Sequence, residues 1–280
     1  MSGEGGWSLT LACNRADAET FPDIGDVFAD LADPPSLNVE EPDPDRPDEW
    51  LMTAYCNDRP DADWTTLSQR NLDPVRAGRF LVHTRAHADA VRPGDIAITI
   101  EAGLAFGTGQ HATTHGCLLA LDRLGKRRRF ANIADLGTGT GVLALAAARR
   151  WKAARTIASD IDPVSIAVTR ANLRDNKISA GHSAGRIELV VAAGLHHRRL
   201  AARAPFDLIV ANILAPPLVA MSRPVSAALA LGGILVLAGL LRSQAMRVRA
   251  AYRRHGLVPL APQRRRGEWP CVVLIRRSKT

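Results

Sequence analysis

The stretch Asp135–Gly141, which reads DLGTGTG, lies between a short apolar run, 133–136, and an alanine-rich run, 142–152. The apolar run predicts a buried strand and the alanine-rich run predicts a helix. Glycine at every second position allows a sharp turn and lets a ligand lie against the backbone, because no Cβ is in the way. In open α/β sheets, ligands bind beyond the carboxyl ends of the strands, where this loop falls. The stretch therefore predicts a cofactor site between a strand and a helix.

The spacing of the glycines distinguishes between cofactor classes. A dinucleotide fingerprint needs Gly-x-Gly-x-x-Gly, but Val142 stands where its third glycine belongs. A Walker phosphate loop is excluded because no Gly-Lys-Ser/Thr follows. A Gly-x-Gly-x-Gly loop behind an acidic residue is the pattern found in methyltransferases. Asp135, Gly137 and Gly139 are therefore candidate contacts for S-adenosyl-L-methionine.

Apolar strands and helices alternate over the segment that contains this loop. Strands that are apolar throughout indicate a parallel sheet with helices on both faces. We therefore expect an α/β fold of the class I methyltransferase type, with a Rossmann-like, mostly parallel sheet. The predicted strands are 133–136, 156–159, 187–192, 206–210, 234–238, 258–261 and 271–275, and the predicted helices are 113–124, 142–152, 164–175, 218–230 and 243–255.

Two acidic residues follow the next strand. Asp160 ends that strand 23 residues after Gly137. A carboxylate there can accept both ribose hydroxyls of a nucleoside cofactor, and its expected offset is about 20 residues. Asp162 precedes Pro163 and is instead expected to cap the following helix. Asp160 and its neighbour Ile161 are therefore included among the candidate cofactor-binding residues.

A further polar residue ends the strand predicted over 206–210. The side-chain carbonyl of Asn212 and the backbone carbonyls of Ile213 and Leu214 could accept hydrogen bonds from an attacking amine. Such bonds would hold the amine in line with a sulfonium methyl group. Asn212, Ile213 and Leu214 are therefore candidate catalytic residues, and Asn212 is also a candidate cofactor contact.

Four segments, in this order, resemble the PrmA-type methyltransferases that modify large-subunit ribosomal protein eleven. They are Glu101–Thr114, Asp135–Gly141, Asp160–Pro163 and Val210–Ala215. The pattern Ala-Phe-Gly-Thr-Gly-x-His-x-Thr-Thr in the first segment is highly specific to that family. The resemblance implies methyl transfer from S-adenosyl-L-methionine to lysine side chains, and to the N-terminal α-amine, of that ribosomal protein.

The resemblance also implies which residues contact the cofactor. It assigns this role to Thr114, Gly137, Asp160 and Asn212, and it places Phe106, Gly107 and Thr108 in a loop that closes over the site. Taken with the motifs, the candidate cofactor-binding residues are Phe106, Gly107, Thr108, Thr114, Asp135, Gly137, Gly139, Asp160, Ile161 and Asn212.

The chain is expected to contain three parts. These are a small acidic α+β, ferredoxin-like substrate-recognition domain over 1–62, a linker helix and connection over 63–82, and the methyltransferase domain over 83–280. Residues 1–64 hold sixteen acidic and three basic side chains, a net charge of −13, whereas residues 65–280 carry +21. The acidic part could steer a lysine-rich ribosomal protein. The basic part could contact ribosomal RNA or the ribosome transiently, or it could be solvated surface.

The apolar runs, the cysteines and the histidines bear on membrane spans, disulfides and metal sites. No run of about 18 or more apolar residues is present, so no membrane span is expected. The four cysteines are scattered without a Cys-x-x-Cys pair, which indicates free thiols in a cytoplasmic protein. His111 and His115 are spaced i, i+4 but have no evident third ligand, so no metal site is expected. We expect a cytoplasmic monomer.

Other functions stay open at this point. Methyltransferases for nucleobases or glutamine amides typically carry Asn/Asp-Pro-Pro-Tyr/Phe after the fourth strand, whereas this chain has Asn212-Ile-Leu-Ala. A methyltransferase for another protein or a small molecule also stays open, because the fold does not fix the acceptor. A ribosome-associated binding protein without catalytic activity would keep the fold, and measuring cofactor binding would distinguish it.

Overall fold

The computed structural model divides the chain into two compact units, Met1–Asn71 and Leu72–Thr280. The structure describes residues 7–13, 36–40, 50–56, 74–101, 112–260 and 270–277. The linker helix predicted from residue 63 onwards lies outside the described residues. Each unit is described by itself below.

The first unit contains a small antiparallel sheet of three strands. The strands are β1 (Trp7–Cys13), β2 (Ser36–Glu40) and β3 (Trp50–Cys56). Their order is β1-β3-β2, so the last strand in sequence lies in the centre. Trp7 is opposite Cys56 in one pair and Ser36 is opposite Tyr55 in the other. This sheet forms the small N-terminal module that precedes the larger unit.

The second unit begins with another small sheet. It contains β4 (Val75–Ala77), β5 (Phe80–His83) and β6 (Ile96–Thr99). β4 and β5 are antiparallel, whereas β5 and β6 are parallel and are connected through a short 3₁₀ helix, Arg85–Ala90. Phe80, Val82 and Ile98 are buried and belong to the core of the main sheet. The small sheet is therefore packed onto the larger one.

The main sheet has seven strands in the order β12-β13-β11-β10-β7-β8-β9. These strands are β7 (Asn132–Leu136), β8 (Arg155–Asp160), β9 (Ile187–Val191), β10 (Phe206–Asn212), β11 (Leu229–Ala238), β12 (Leu257–Pro259) and β13 (Val272–Arg276). The five strands β11, β10, β7, β8 and β9 are mutually parallel. β13 pairs antiparallel with β11, and β12 with β13. The predicted mostly parallel, Rossmann-like sheet is confirmed.

Helices connect the strands. They are α1 (Ala112–Gly125), α2 (Val142–Arg150), α3 (Pro163–Asp175), α4 (Arg198–Arg203), α5 (Ala215–Ala220), α6 (Ser222–Ala228) and α7 (Ala245–Arg253). The single helix predicted over 218–230 is wrong, because two short helices, α5 and α6, occupy this stretch. Pro224 has no amide hydrogen to donate to the Ala220 carbonyl, which favours the break at Met221. α4 was not predicted from the sequence.

The apolar core lies in two layers on opposite faces of the main sheet. Successive strand residues point to opposite faces, so Val210 lies in the layer that contains Leu118 and Leu145, and Ile209 lies in the layer that contains Leu218. Within the described residues, no helix has the length and apolar character that a membrane crossing requires. The sheet is thus covered on both faces, and its strand ends remain available for a site.

Candidate active site

The glycine loop turns sharply at the carboxyl end of β7. The backbone N–H groups of Gly137 and Thr138 both donate to the Ser159 carbonyl, over 2.8 and 3.0 Å. Gly137 has a φ of +70°, and a Cβ built there would lie only 2.2 Å from Cγ2 of Ile213. Glycine is therefore required where the loop after β7 meets the turn after β10. The predicted position of the loop is confirmed.

Helix α3 supports the same loop through two polar side chains. The Thr169 hydroxyl donates to the Gly139 carbonyl over 2.7 Å, and Nδ2 of Asn172 donates to the Thr140 carbonyl over 2.8 Å. Both side chains are buried. Neither residue was predicted from the sequence. Two polar residues at i, i+3 on the apolar face of a predicted helix could have indicated a polar contact with the loop. These two hydrogen bonds fix the carbonyls of Gly139 and Thr140.

Asp160 and Asp162 have different roles at the end of β8. Oδ2 of Asp160 accepts from the Gly139 N–H over 2.9 Å, and its Oδ1 accepts from the Asp162 N–H over 3.1 Å. Asp162 accepts from the N–H groups of Val164 and Ser165, which holds the pKa of its carboxyl below the ordinary value. The predicted capping role of Asp162 is confirmed. Asp160 lies beside the glycine loop with acceptor capacity left on both oxygens.

Asp135 is buried directly beneath the loop. Its Oδ2 accepts from the Thr138 hydroxyl over 2.7 Å, while its Oδ1 is buried and has no hydrogen-bond partner among the described residues. Burial raises the pKa of this carboxyl to about 7, and the nearby charge of Asp160 raises it further, against opposing hydrogen bonds from Thr138 and Ala144. Asp135 is therefore a carboxylic acid that holds its proton up to near neutral pH.

Asn212 faces helix α1 across the same edge of the sheet. Its Nδ2 donates to the Thr114 hydroxyl over 3.2 Å, and Thr114 is itself buried. Oδ1 of Asn212 is buried and has no partner among the described residues. An unsatisfied buried carbonyl costs free energy, so this oxygen is suited to accept a hydrogen bond from a ligand. The structure thus brings together two of the predicted contacts from distant parts of the chain.

The turn after Asn212 packs closely against Gly239, a glycine that was not predicted as a site residue. Gly239 follows β11 with a φ of +80°, and a Cβ built there would lie 2.4 Å from the backbone oxygen of Ile213. The Leu214 carbonyl accepts from the Leu218 N–H over 3.4 Å at the start of α5. The carbonyl of Leu214 is therefore partly committed to the helix. A Gly after an apolar strand was the available signal for Gly239.

Large apolar side chains are exposed near the carboxyl ends of four of the five parallel strands. Ile161 and Leu214 are each 72% exposed, and Val191 and Leu241 are also exposed. Ile161 and Leu214, both predicted as site residues, thus present apolar surface to solvent rather than packing into the core. An exposed group of apolar side chains around unsatisfied polar atoms is typical of a ligand site.

The sequence also pointed to a loop over 106–108 and to a pair of histidines. Phe106, Gly107, Thr108 and His111 fall outside the described residues. Nε2 of His115 lies 3.2 Å from the backbone carbonyl oxygen of Arg76. Within the described part of the chain, no three His, Cys, Asp or Glu side chains are grouped closely enough to hold a metal ion.

Comparison with known proteins agrees with the motifs. A model of the family described as ribosomal protein L11 methyltransferase (PrmA) matches residues 39–277. A ribosomal protein L11 methyltransferase of Rhizobium etli is 50% identical over 193 residues, which cover 69% of this chain and 64% of that protein. One from Rhizobium leguminosarum bv. trifolii is 49% identical over 213 residues, which cover 74% of this chain and 71% of that protein.

A solved structure gives the same result. The ribosomal protein L11 methylase of Lactobacillus delbrueckii subsp. bulgaricus superimposes with a TM-score of 0.63 at 25% identity, over 74% of this chain and 100% of that one. The match spans 64% of the length of the Rhizobium etli relative. The family model covers most of the chain, and the resemblance inferred from the motifs is confirmed. The chain belongs to the ribosomal protein L11 methyltransferase (PrmA) family.

Proposed function

We propose that this chain transfers methyl groups from S-adenosyl-L-methionine to amines of ribosomal protein L11, namely lysine side chains and the N-terminal α-amine. The observation that carries the proposal is the buried Oδ1 of Asn212, which has no partner among the described residues. The Asn212 side chain is held by Thr114 at the edge where the glycine loop meets Ile213. Membership of the family supports the choice of donor and substrate. A nucleobase substrate is disfavoured, because no aromatic residue follows Asn212 for stacking.

The described residues fit the proposed cofactor. Asp160 retains acceptor capacity for two ribose hydroxyls beside the loop. Gly137 has no side chain, which lets the side chain of Ile213, in the turn after Asn212, pack closely against the loop. The exposed Ile161 offers an apolar surface next to that carboxylate. S-adenosyl-L-methionine supplies, when bound, a methyl group on a positively charged sulfur.

The amine must be neutral to attack the methyl carbon. A lysine amine has a pKa of about 10.4 in water and an α-amine about 8, so a less polar site that disfavours the ammonium form would help by lowering these values. The attack forms a nitrogen–carbon bond and breaks the carbon–sulfur bond, and the amine then loses a proton. Oδ1 of Asn212 and the carbonyl of Ile213 would accept the N–H groups of the amine and align its lone pair.

The partners follow from the same proposal. The acidic residues 1–62 would bind the basic substrate, and residues 83–280 would catalyse methyl transfer. Residues 63–82 would link these two domains. The protein would act as a monomer in the cytoplasm and would contact the ribosome or its RNA only transiently. The net charge of −13 over residues 1–64 supports attraction to a lysine-rich protein.

The test is direct. The full chain is incubated with purified ribosomal protein L11 and cofactor labelled in its methyl group, and mass spectrometry locates the label. We expect label on lysine and N-terminal amines, and no incorporation would contradict the proposal.

The role of Asn212 is tested with the variant Asn212→Ala. We expect turnover to fall by about 100-fold through lost alignment, while the affinity for the cofactor changes far less. Calorimetry and single-turnover kinetics measure the two quantities. Thr114→Ser, which keeps the hydroxyl that Asn212 contacts, is the matched control and is expected to retain most of the turnover. Equal losses of turnover and cofactor affinity in Asn212→Ala would exclude a role in positioning the amine.

A further inference from the structure

A second concave surface lies at the amino edge of the main sheet, opposite the edge that carries the glycine loop. It is a cavity of about 960 Å³. The segments that enter β7 and β8 line it, together with the β4–β5 turn and the start of β6. Its basic lining residues are Arg79, Lys126, Arg127, Arg128, Arg129, Arg149, Arg150 and Lys152, and its acidic lining residue is Asp95. We call this surface the amino-edge groove.

The acidic side chains near the groove are already paired. Asp95 accepts from Arg76, which lies outside the lining, over 2.6 Å. Asp122, also outside the lining, pairs with Lys126 over 2.9 Å. The positive charge of the lining therefore far exceeds the negative charge within reach. A concave surface with one sign of charge focuses the field and attracts ions of the opposite sign.

Several of the arginines are held in place by backbone carbonyls, which do not cancel their charge. Arg150 donates to the Gly125 carbonyl, Arg128 donates to the Gly232 carbonyl over 3.0 Å, and Arg149 donates to the Asn176 carbonyl over 3.0 Å. These bonds pre-order guanidinium groups at the groove. The arginine side chains would then lose less conformational entropy when a charged ligand binds.

Three cations of the groove remain unpaired within the described chain. The side chains of Arg127, Arg129 and Lys152 are exposed and have no hydrogen-bond or ion-pair partner among the residues that the structure describes. They lie between and beside the arginines held by carbonyls. Their charges are therefore free to meet an anionic ligand.

The groove continues beyond the first cavity. An adjoining cavity of about 260 Å³ shares Arg128, Arg129 and Phe130, and extends to Gly232 at the start of β11. Asp207 also lines it, but its Oδ2 accepts from the N–H groups of Ala131 and Asn132 over 2.7 and 2.9 Å. Its carboxylate is thus bound to backbone. The two cavities together present many cations along one continuous lining, which favours a ligand with repeated negative charges over a single anion.

We propose that the amino-edge groove binds the phosphate backbone of RNA. Six of its eight cations are arginines, whose planar forks match phosphate oxygens. The aromatic rings in the lining, Phe130 and Trp151, are buried and pack edge-to-face at 4.9 Å. They offer no surface on which a base could stack, so we expect binding to depend on the charge of the RNA and not on its base sequence. The choice of RNA among polyanions rests on the proposed function, in which the substrate is a ribosomal protein.

The experiment measures binding of the full chain to a fluorescent single-stranded RNA of about 20 nucleotides and mixed sequence. Fluorescence anisotropy is followed from about 50 to 200 mM salt, without cofactor and without ribosomal protein L11. The affinity should fall linearly with salt on logarithmic axes. Since neither cofactor nor protein substrate is present, this result stands apart from the outcome of the methyl-transfer assay.

The test variant reverses the three unpaired cations, as Arg127→Glu, Arg129→Glu and Lys152→Glu together. It should lower RNA affinity at low salt by at least about tenfold and reduce the salt slope by about 2, since each phosphate contact contributes about 0.7. The control variant combines Arg242→Glu, Arg247→Glu and Arg254→Glu, which are exposed, have no described partner and lie outside the groove. It changes the net charge equally and should alter affinity by less than about twofold.

Methylation of isolated ribosomal protein L11 is expected to be unchanged by the groove variant, because the groove and the glycine loop lie at opposite edges of the sheet. Absence of RNA binding by the full chain, or equal losses in the two variants, would overturn the proposal. So would competition by polyglutamate as strong as competition by RNA, because the groove would then bind any polyanion and not a phosphate backbone.

Discussion

Asp135, near the carboxyl end of β7, and Glu188, near the amino end of β9, are both buried carboxylic acids. Burial raises the pKa of Asp135 to about 7, and no cation among the described residues forms an ion pair with it. Burial also acts to raise the pKa of Glu188, but hydrogen bonds from Arg199, His182 and Arg203 outweigh it and hold the pKa below its ordinary value. A buried carboxyl group therefore lacks a positively charged partner at the carboxyl edge, in Asp135, and has several at the amino edge, in Glu188.

Asn212 at the carboxyl edge resembles Asp135 in this respect. Oδ1 of Asp135 and Oδ1 of Asn212 have no partner within the described residues, whereas Glu188 is met by Arg199 at 2.9 Å and by Arg203 at 3.4 Å. Buried polar atoms without partners lower stability. A protein retains them where a ligand will satisfy them, which supports the carboxyl edge as the site of chemistry. The amino edge holds the satisfied Glu188 cluster, but in its basic groove Nε of Arg149 and Nε of Arg150 are buried and have no partner among the described residues.

The largest expected effect concerns the pH dependence of stability through Asp135. The folded chain binds this proton more tightly than the unfolded chain, so the free energy of unfolding falls as the pH rises from about 4 to about 7. The total change is up to about 4 kcal/mol, of which roughly 2 to 3 lie between about pH 5 and pH 8. Asp135→Asn should abolish this contribution and raise stability at pH 8. Urea unfolding at the two pH values measures it.

Glu188→Gln provides the contrast at the amino edge. The pKa of Glu188 is lowered in the folded chain, so its contribution to stability is present above the ordinary value and is lost as the pH falls through the folded value. The glutamine variant leaves the buried Arg203 without its carboxylate, and it should lower stability at both pH 5 and pH 8. If Asp135→Asn lowered stability at pH 8 as Glu188→Gln does, the two edges would not differ in the way inferred.

The second expected effect compares two glycines at opposite ends of β11. Gly239 at the carboxyl end and Gly232 near the amino end have φ values of +80° and +76°. Alanine at either should cost about 1 kcal/mol of stability from left-handed backbone strain. At Gly239 the new Cβ would also lie 2.4 Å from the oxygen of Ile213, whereas at Gly232 no atom lies within 4 Å. Gly239→Ala should therefore displace the Asn212 turn and lower turnover by about 100-fold.

Gly232→Ala is the matched control for this effect. Its stability loss should be about 1 kcal/mol and smaller than that of Gly239→Ala, because no atom meets the new Cβ, and its turnover with ribosomal protein L11 should stay within about twofold of the unchanged chain. Urea unfolding and steady-state kinetics at saturating cofactor separate the two properties. Equal turnover in the two variants would show that Gly239 does not position the turn.

Much of this arrangement could be predicted from the sequence, because the signals are local. The glycine loop was predicted between a strand and a helix, and Asp162 was predicted as a cap from the adjacent Pro163. Both depend on residues that are neighbours in the chain. The parallel sheet followed from apolar strands that alternate with helices. These features are determined by short-range periodicity and turn chemistry.

The remaining features depend on contacts between distant segments. The backbone of Ile213 approaches Gly239 closely because β10 and β11 are neighbouring strands in the sheet. Thr169 reaches Gly139 only when α3 packs beneath the loop. The amino-edge groove joins Arg79 with Lys152, which no local pattern connects. Residue spacing cannot reveal such neighbours, since they are set by the order of strands in the sheet.

The smallest expected effect separates two acidic residues that stand two positions apart at the carboxyl edge. Asp160→Ala should lower the affinity for S-adenosyl-L-methionine by about tenfold, or about 1.4 kcal/mol, through loss of an acceptor for the ribose. Asp162→Ala should lower the free energy of unfolding by about 1 kcal/mol through loss of the α3 cap, and should leave affinity within about twofold. Calorimetry and urea unfolding measure the two quantities on each variant.

Asp160 also accepts from the N–H groups of Gly139 and Asp162, so its removal loosens the loop as well as the ribose contact. The variant Asp160→Asn separates these contributions, because an amide oxygen can still accept one N–H while the carboxylate is gone. If affinity in Asp160→Asn falls as far as in Asp160→Ala with stability retained, the carboxylate contacts the cofactor directly. If affinity recovers in step with stability, Asp160 acts by holding the loop, and the carboxyl edge would resemble the amino edge in using its acids for structure.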